Sequence, residues 1–554
     1  MTVLLYDQTC AAEKKRRRKR GTMVDPAVHV RINEEVCEGC GDCSAVSNCL
    51  AIEPVETEFG RKRRVQPSAC NKDLSCLQGF CPSFVTVEGG SLRRRGQERA
   101  AAPAVPPVDP PGLPPGRAYG ILVAGVGGTG VVTIGQLLGM AAHLEGLGIS
   151  VLDVAGLAQK GGAVHSFVQV AGTQEELHAT RIATGEADLV LGCDLVVAAG
   201  AEVLSRVQPG RTRALLSGSE SPTAAFVGNP DWRLDVPGLV QPIREAVGDE
   251  ASLVLVDAIA FAERVLGDAI FANAFVLGAA WQKGWIPLRR ESLLRAIELN
   301  ASAVATNLLA FEWGRAAAAD PKSLREAIEA TLPQEPARPR AESLEEVVGI
   351  RARRLVKYQD EALARRYRDL VGAVREAETR VAGSPGPVSD AVARNYYRLL
   401  AVKDEFEVAR MLSDPAFTER LGAEFEGRWR VHYHLAPTWL ARPGKNGEPA
   451  RKVKFGPWLR LPLRALAAMR GLRGTLLDPF RWSHERVVER ALVADYEATV
   501  REIVDRLAPG NRDAAARLAE APAAIRGYGH VKERSISATR PGWARMREDW
   551  TRAP

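Results

Sequence analysis

Residues 37–43 read CEGCGDC, and they begin a segment that holds seven of the nine cysteines of this chain. The seven are Cys37, Cys40, Cys43, Cys49, Cys70, Cys76 and Cys81. Three cysteines at C-x2-C-x2-C spacing, with a later cysteine before a proline (here Pro82), are typical of segments that hold iron–sulfur clusters. The tight loop supplies three thiolates, and a distant cysteine supplies the fourth. The segment therefore predicts a ferredoxin-like module that carries electrons.

The spacing predicts two clusters, because in two-cluster ferredoxins the last cysteine of each run binds the other cluster. The first would be a 4Fe–4S cluster held by Cys37, Cys40, Cys43 and Cys81. The second would take three thiolates, from Cys49, Cys70 and Cys76. Asp73 stands where the middle cysteine of the second run is expected. It could bind iron through oxygen in a 4Fe–4S cluster, or leave that corner open in a 3Fe–4S cluster. Oxygen suits the site less well than thiolate, so we expect this iron to be labile.

Other features of the segment agree with clusters better than with disulfides or zinc. A disulfide framework is not expected, because the chain is long, shows no signal peptide and confines these cysteines to one segment. Structural zinc favours two pairs of ligands over a C-x2-C-x2-C triplet. Gly39 and Gly41 lie between the first three cysteines, and we expect them to allow a tight turn that aims N–H groups at sulfur.

Composition bounds the remaining possibilities. The 554 residues suffice for two to four domains, and a content of 46% hydrophobic and 25% charged residues is ordinary for a globular protein. No apolar run reaches the length of a membrane span and no secretory leader is recognised, so we expect no membrane insertion and a cytoplasmic location. The net charge is +7, with basic runs at residues 14–20 and 61–64. No nucleic-acid-binding motif lies beside them, so no nucleic-acid partner is expected. The run RKRR at 61–64 suggests a positive landing surface for an acidic electron carrier.

The pattern along the chain predicts a multidomain protein of the α/β plus α class. Strand-like residues 28–32 and 84–87 flank the cysteine loops of a ferredoxin-like module at 25–97. Seven prolines between residues 103 and 115 mark a linker at 98–117. Residues 118–320 alternate strands and helices, which is typical of a doubly wound parallel sheet. A second linker at 321–344 precedes a mostly helical C-terminal domain at 345–548.

A glycine loop follows the first strand of the α/β domain. Residues 119–124 are an apolar strand, GVGGTG follows at 125–130, and a helix is predicted from about 131 to 144. Such a loop suits a nucleotide phosphate, with Asp153 near the place of a ribose-binding carboxylate. The alternative is that the glycines only allow close packing of strand and helix. The candidate cofactor-binding residues are Gly125, Gly127, Gly128, Gly130, Asp153 and Lys160. Further strands are predicted at 149–154, 189–190, 195–197 and 253–256.

Lys160 belongs to a second glycine-bearing loop, which runs from residue 156 to residue 166. Gln159, Lys160 and His165 are its polar groups, and they come at the carboxyl end of a predicted parallel strand. Ligand sites of open α/β sheets gather there, so Lys160 is a candidate partner for a carboxylate or a phosphate. A surface turn is the alternative.

Three segments resemble indolepyruvate ferredoxin oxidoreductase, of the 2-oxoacid:ferredoxin oxidoreductases, in its long bacterial form. They are residues 32–87, residues 121–170, which include AGLAQKGGAVHS, and residues 300–315 (NASAVATNLLAFEWGR). The resemblance implies that 25–97 is the ferredoxin-like domain, 118–320 the gamma-type domain and 345–548 the helical C-terminal domain. Residues 6–21 resemble the end of the thiamine-diphosphate-binding domain, so residues 1–24 would be its remnant.

The resemblance also implies a reaction, which is the oxidative decarboxylation of an aryl 2-oxoacid with coenzyme A. The products are an acyl-CoA, carbon dioxide and two electrons, which the clusters held by the seven cysteines pass to ferredoxin. Thiamine diphosphate with Mg would come from a part of the enzyme whose metal-binding motif is not found in this chain. We therefore expect this chain alone to be inactive, and to act with a thiamine-diphosphate-binding half or subunit in a homo- or hetero-oligomer.

Two other functions stay open at the level of sequence. One is a self-sufficient iron–sulfur oxidoreductase that binds NAD(P) at the GVGGTG loop and Asp153. The other is a non-catalytic ferredoxin-like carrier with a scaffold tail. The sequence does not choose among indolepyruvate, phenylpyruvate and other 2-oxoacids.

Overall fold

The structure is a computed structural model that describes residues 9–93, 101–127, 130–156, 162–218, 224–331, 343–436 and 452–552, together with Val3 and Asp7. The chain divides into two compact units. The first unit comprises Met1–Asp25, Arg94–Thr223 and Trp232–Pro336. The second unit comprises Pro26–Arg93, Ala224–Asp231 and Ala337–Pro554. The predicted ferredoxin-like module and the predicted C-terminal domain thus fall in the same unit.

The strands and helices of the described residues are as follows. The strands are β1 (Val28–Ile32), β2 (Ile52–Thr57), β3 (Gly60–Val65), β4 (Phe84–Glu88), β5 (Ser91–Leu92), β6 (Tyr119–Val126), β7 (Gly148–Ala155), β8 (Ala163–Ala171), β9 (Leu189–Gly192), β10 (Arg213–Ser217), β11 (Leu253–Val256), β12 (Phe425–Glu426), β13 (Arg430–Leu435) and β14 (Val453–Phe455). The helices are α1 (Ala11–Lys19), α2 (Asp42–Ser47), α3 (Val131–Leu144), α4 (Leu195–Ala198), α5 (Ala201–Leu204), α6 (Ala224–Gly228), α7 (Val236–Val247), α8 (Ala258–Phe261), α9 (Ala272–Gln282), α10 (Arg290–Leu299), α11 (Val304–Ala319), α12 (Pro321–Thr331), α13 (Leu344–Tyr358), α14 (Glu361–Ala382), α15 (Pro387–Leu400), α16 (Glu405–Ser413), α17 (Pro415–Glu424), α18 (Arg460–Ala468), α19 (His484–Arg506), α20 (Arg512–Glu520) and α21 (Gly529–Arg552).

The first unit is built on a six-stranded sheet in the order β11-β10-β9-β6-β8-β7. The strands β11, β10, β9 and β6 are parallel, as the sequence predicted. The strand β8 is antiparallel to both β6 and β7, so the sheet is mixed and not purely parallel. The reason is that a short connection joins β7 to β8, and short connections join antiparallel strands.

Two local predictions for this unit are corrected by the structure. Residues 195–197 belong to helix α4 and not to a strand, because the Asp194 side chain caps the helix by accepting a hydrogen bond from the Val197 N–H at 3.0 Å. Residues 163–166 lie in strand β8, whereas the sequence placed them in a loop. The helix predicted at 131–144 coincides with α3.

The second unit is built on a four-stranded sheet in the order β1-β4-β13-β14. The pair β1–β4 flanks the cysteine loops, as predicted, and the hairpin β2–β3 lies between those loops in sequence. The strand β13, from the predicted C-terminal domain, pairs with the free side of β4. The helices α13 to α15 and α19 to α21 contribute to one further apolar core in this unit.

Among the described residues, no helix combines the length and the apolar character that crossing a membrane requires.

Candidate metal centre and glycine loop

The first cysteine loop begins where β1 ends, at the buried residue Asn33. Its backbone N–H donates to the Ser83 carbonyl at 2.8 Å, and its side chain accepts a hydrogen bond from the Glu35 N–H at 3.0 Å. The Cys37 N–H then donates to the Asn33 carbonyl at 2.9 Å. Because Asn33 links the end of β1 to Ser83, which directly precedes β4, it fixes the position at which the C-x2-C-x2-C run starts.

Two glycines give this run its tight course, as the sequence predicted. Gly39 has φ +68° and Gly41 has φ +82°, both in the left-handed region. A Cβ at Gly39 would lie 2.2 Å from the Arg61 carbonyl oxygen, so the close approach also excludes larger residues. The Gly39 N–H points at the Cys37 sulfur at 3.4 Å, which is the hydrogen bond to sulfur expected of a cluster loop.

The structure brings the seven cysteines into two groups. Cys40 lies within electrostatic range of Cys37, Cys43 and Cys81. Cys76 lies within electrostatic range of Cys49, Cys70 and Asp73. Cys43 also lies within electrostatic range of Cys76, so the two groups adjoin each other, and the two ligand sets stay a prediction.

Four of these thiols, those of Cys40, Cys43, Cys76 and Cys81, resist ionisation in the bare protein. Burial raises the pKa of Cys81 to about 11, and the charge of Cys37 adds to this. Burial, with the charges of Cys49 and Cys70, raises the pKa of Cys76 to about 12. Burial also raises the pKa values of Cys40 and Cys43, and neighbouring cysteines add to the shift. Thiolates become stable in such groups when a metal takes the place of the protons. The donor set therefore fits metal clusters.

Single-ion and cluster sites demand different spacing. Within the described ranges, no three His, Cys, Asp or Glu side chains are placed to hold a single metal ion. A cluster that contains several iron atoms keeps its thiolates further apart than one zinc ion does, because each thiolate binds a different iron.

Asp73 has a structural role as well as a candidate ligand role. Its side chain is exposed, and Oδ1 accepts hydrogen bonds from the Ser75 N–H at 3.3 Å and the Ser75 hydroxyl at 3.1 Å. Lys72 and Leu74 on either side have φ +54° and +62°, which is strained for residues other than glycine. An iron ligand at this position would use the other carboxylate oxygen, Oδ2.

Cations that the sequence did not place near the cysteines stand beside both groups. Lys452 donates to the Cys81 carbonyl at 3.1 Å and is influenced by the charges of Cys81, Cys76 and Cys43, so it lies near both groups. Burial lowers the pKa of Lys452 to about 8. Lys403 donates to the Cys37 carbonyl at 3.0 Å. No sequence motif marks either lysine, because both come from the distant C-terminal region.

The prediction that the basic run at 61–64 forms a landing surface for an electron carrier is wrong. Arg63 is fully buried, Lys62 is 7% exposed, and the side chain of Arg61 is 8% exposed. Arg63 donates to the Pro230 carbonyl at 2.7 Å, and its guanidinium lies over the Phe226 ring. Arg64 is the member whose side chain is substantially exposed. The run therefore builds the interior of the second unit.

The described part of the glycine loop shows tight packing. A Cβ at Gly125 would lie 2.7 Å from Val131 and 3.1 Å from Cys193. Gly130 precedes α3 with φ +99°, and a Cβ there would lie 2.4 Å from the Asn273 amide. The Gly127 N–H donates to the Gly162 carbonyl at 2.8 Å. Gly128 and Lys160, with Gln159, lie outside the described residues.

Asp153 and His165 lie on the antiparallel side of the sheet. Asp153 is exposed on the edge strand β7, opposite Ser166 of β8. In a dinucleotide fold the strand that bears the ribose-binding carboxylate lies directly beside the strand before the glycine loop. Here β8 lies between β6 and β7, and His165 of β8 faces Ala124 of β6. The sheet order therefore argues against a dinucleotide site built from Asp153.

Comparison with known proteins shows which families the two parts of the chain resemble. Residues 120–317 match the family described as pyruvate ferredoxin/flavodoxin oxidoreductase. Residues 344–545 match a family of unknown function, DUF6537. The α/β domain of the first unit is therefore similar to this oxidoreductase family.

Two indolepyruvate oxidoreductase subunits are similar to part of this chain. The indolepyruvate oxidoreductase subunit IorB of Methanothermobacter thermautotrophicus is 28% identical over 204 residues, which are 36% of this chain and 98% of that subunit. IorB of Pyrococcus horikoshii is 28% identical over 206 residues, or 36% of this chain and 96% of that subunit. The resemblance to the indolepyruvate ferredoxin oxidoreductases is thus confirmed.

Solved structures give distant matches. The pyruvate oxidoreductase subunit PORC of Thermotoga maritima matches 36% of this chain and 96% of its own, with 18% identity and a TM-score of 0.27. The 2-oxoglutarate:ferredoxin oxidoreductase of Magnetococcus marinus matches 37% of this chain and 31% of its own, with 18% identity and a TM-score of 0.28.

The geometry of Gly39 yields a test of the first cysteine loop. The variant Gly39→Ala is expected to lose iron and sulfide, because it combines a left-handed backbone penalty of about 1–2 kcal/mol with a clash against the Arg61 carbonyl. Gly60→Ala is the matched control, since Gly60 has φ +87° but nothing within 4 Å of an added Cβ. Iron and sulfide analysis after anaerobic purification measures the difference. Equal cluster content in the two variants would show that the close approach at Gly39 does not matter.

Proposed function

We propose that this chain is the iron–sulfur and gamma-type part of an indolepyruvate ferredoxin oxidoreductase. The observation that carries the proposal is the gathering of seven mostly buried cysteines into groups of four and three, in a chain whose residues 120–317 match this oxidoreductase family. The cysteine groups would receive electrons released from an aryl 2-oxoacid and pass them to ferredoxin. The first group would hold a 4Fe–4S cluster, and the second a 4Fe–4S or 3Fe–4S cluster.

Iron–sulfur clusters accept and release single electrons, and the protein around them sets how readily they do so. In the first group Cys37, Cys40, Cys43 and Cys81 would be the thiolate ligands. The Gly39 N–H donates to the Cys37 sulfur, and the Lys72 N–H donates to the Cys70 sulfur at 3.4 Å. Both bonds stabilise negative charge on sulfur. Lys452 lies close to members of both groups, so its positive charge would stabilise an electron added to either cluster.

The remaining components of the reaction come from outside this chain in our proposal. A thiamine-diphosphate-binding half, with Mg, would bind the 2-oxoacid and supply the carbanion chemistry, and coenzyme A would accept the acyl group. That the relatives are named as subunits supports a partner chain. The NAD(P)-linked alternative is not proposed, because β8 separates Asp153 from the strand that leads into the glycine loop.

The decisive experiment uses the full chain, purified without oxygen, and follows cluster absorbance. Indolepyruvate with coenzyme A should bleach the clusters only after the thiamine-diphosphate-binding half is added. The control omits coenzyme A and, separately, the 2-oxoacid. Reduction by NADH in the absence of that half would overturn the proposal in favour of the NAD(P)-linked function.

The Asp73 position gives a second test. In the oxidised wild-type protein we expect the EPR signal of a three-iron cluster, because an oxygen ligand or an open corner holds the fourth iron weakly. Asp73→Cys should convert this signal to the EPR-silent oxidised state of a four-iron cluster. Ser75→Ala is the control, since it removes the hydroxyl that donates to Asp73 Oδ1 and leaves the Asp73 carboxylate in place. If wild type shows no three-iron signal and the cysteine variant changes nothing, Asp73 is not a ligand.

The position of Lys452 gives a third test. Lys452→Met removes a positive charge beside both cysteine groups, so the more negative, reduced state becomes less favourable. The reduction potentials should fall by roughly 50–100 mV at an effective dielectric constant near 20. Redox titration followed by EPR measures them. Lys454→Met is the matched control, because Lys454 is half-exposed and pairs with Glu88. Equal potentials in the two variants would exclude the effect.

A further inference from the structure

Helix α18 of the second unit is apolar on its outer face as well as on its inner face. On the inner face Leu463 is buried in the core that also holds Val36, the residue before Cys37. On the outer face Leu461 is 71% exposed, and Met469, directly after the helix, is also exposed. A helix that is apolar all round is normally covered on every side. The outer face of α18 is therefore a candidate contact surface.

The exposed apolar side chains form one stripe. A 3₁₀ turn at Pro457–Leu459 runs directly into α18, and it carries an exposed tryptophan. Four exposed side chains follow one another at spacings of three, four and four residues, which places them on one side of a helix. They are Trp458, Leu461, Ala465 and Met469, and we call them the α18 stripe. Single exposed apolar residues are ordinary, whereas a continuous apolar surface marks an interaction site.

The segment that follows the stripe exposes more apolar surface. Leu476 is 82% exposed, and Leu477 and Trp482 are also exposed. The buried Asp478 holds this segment, because its carboxylate accepts hydrogen bonds from two backbone N–H groups at 2.9 Å each. These side chains are thus presented by a segment with defined turns.

The charge beside the stripe is positive. Residues 453–484 contain six lysine and arginine residues and one acid, which is the buried Asp478. Arg464 and Arg470 are exposed, and neither forms an ion pair with a carboxylate that the structure describes. Lys454 and Arg473, in contrast, are already paired with acids. Arg464 and Arg470 therefore give the stripe a positive edge.

The acids of the neighbouring helix do not neutralise this edge. Helix α16 packs against α18, and the acids at its N-cap and in its first turn all face other arginines. The pairs are Asp404 with Arg473, Glu405 with Arg486, and Glu407 with Arg410. The positive edge is therefore available to a partner that carries negative charge.

The stripe lies close to the cysteine groups. The Trp458 ring packs against the Phe455 ring of β14, with 6.2 Å between the ring centroids. The residue before β14 is Lys452, which donates to the Cys81 carbonyl at 3.1 Å. Electron transfer between two proteins requires their redox centres to come close together. A partner bound on the stripe would meet this requirement.

We propose that the α18 stripe and its arginine edge form the docking surface for an acidic electron acceptor of the ferredoxin type. The proposal rests on the proposed function, and it adds the place at which the acceptor binds. Complementary charge selects an acidic partner and speeds the encounter. An apolar centre that contains Trp and Met, with Arg beside it, has the composition of protein interfaces.

Two other occupants fit the surface less well. A second copy of this chain would oppose the stripe to itself in a two-fold contact, which brings like charges together. A helix that lies in a membrane surface has a strongly charged face opposite its apolar face. The face of α18 opposite the stripe is instead buried in the protein core.

Electron transfer with the full chain tests the proposal without the thiamine-diphosphate-binding half. The chain, purified without oxygen, is mixed by stopped flow with an acidic two-cluster ferredoxin. One protein is first reduced with dithionite and freed of excess reductant, and both combinations are measured so that one of them runs downhill. Basic cytochrome c is the control acceptor for the reduced chain. The rate constant with ferredoxin should fall as the ionic strength rises, and that with cytochrome c should not.

A charge reversal locates the encounter. The double variant Arg464→Glu/Arg470→Glu should slow electron transfer with ferredoxin at least about tenfold at low ionic strength. Arg365→Glu/Arg375→Glu is the matched control, because it makes the same change of charge at exposed positions of α14. Neither double variant should slow the reduction of cytochrome c, which shows that the clusters are intact.

A neutral substitution tests the apolar part of the surface. Leu461→Ser keeps the charge and removes an exposed side chain, so it should slow transfer with ferredoxin while the protein stays folded. Val356→Ser, at an exposed position of α13, is the control and should react like wild type.

The outcomes separate the docking surface from the proposed function. Equal ferredoxin rates in the stripe variants and their controls, or no transfer with ferredoxin while cytochrome c is reduced, overturn the docking surface alone. A chain that contains no iron and sulfide, and reduces neither acceptor, overturns the proposed function and the docking surface with it. If Leu461→Ser abolishes self-association or binding to phosphatidylserine vesicles but leaves the ferredoxin rate unchanged, the surface belongs to that other occupant and the proposal fails.

Discussion

The second unit depends on the pairing of strand β4 with a neighbour on each side. β1 pairs with β4 from Val28 opposite Glu88 to Ile32 opposite Phe84, and this pairing closes the chain around the cysteine loops. β13 pairs with the other side of β4, from Arg430 opposite Glu88 to Tyr433 opposite Val85. Phe84 to Val87 are consequently buried on both faces. A central strand therefore ties the cysteine loops to the C-terminal region.

This connection decides the electrostatics of the cysteine groups. Buried thiols raise each other's pKa values, so the groups favour a metal that neutralises several thiolates at once. The C-terminal region brings Lys403 to the Cys37 carbonyl and Lys452 to the Cys81 carbonyl. These cations lie where negative charge would accumulate on reduction. In this way the C-terminal region places positive charge beside the predicted electron carrier.

In the first unit the decisive constraint is steric. A Cβ added at Gly125 would lie 2.7 Å from Val131, and one added at Gly130 would lie 2.4 Å from Asn273. Strand β8 lies between β6 and β7, the strand that bears Asp153. The glycine motif therefore stands in a sheet whose strand order differs from that of a dinucleotide-binding fold. Close packing therefore explains Gly125 and Gly130, whatever the loop binds.

The sequence by itself determined the features that depend on neighbouring residues along the chain. The cysteine spacing predicted two ligand sets, the apolar run and the glycines predicted β6 and α3, and residues 28–32 and 84–87 were recognisable as strands. Only the tertiary structure decided that residues 195–197 form a helix, that β8 lies between β6 and β7, and that residues 61–63 are buried. Lys403 and Lys452 could not be singled out from the sequence. The reason is that strand order and the environment of a charge depend on residues hundreds of positions apart, which local patterns do not record.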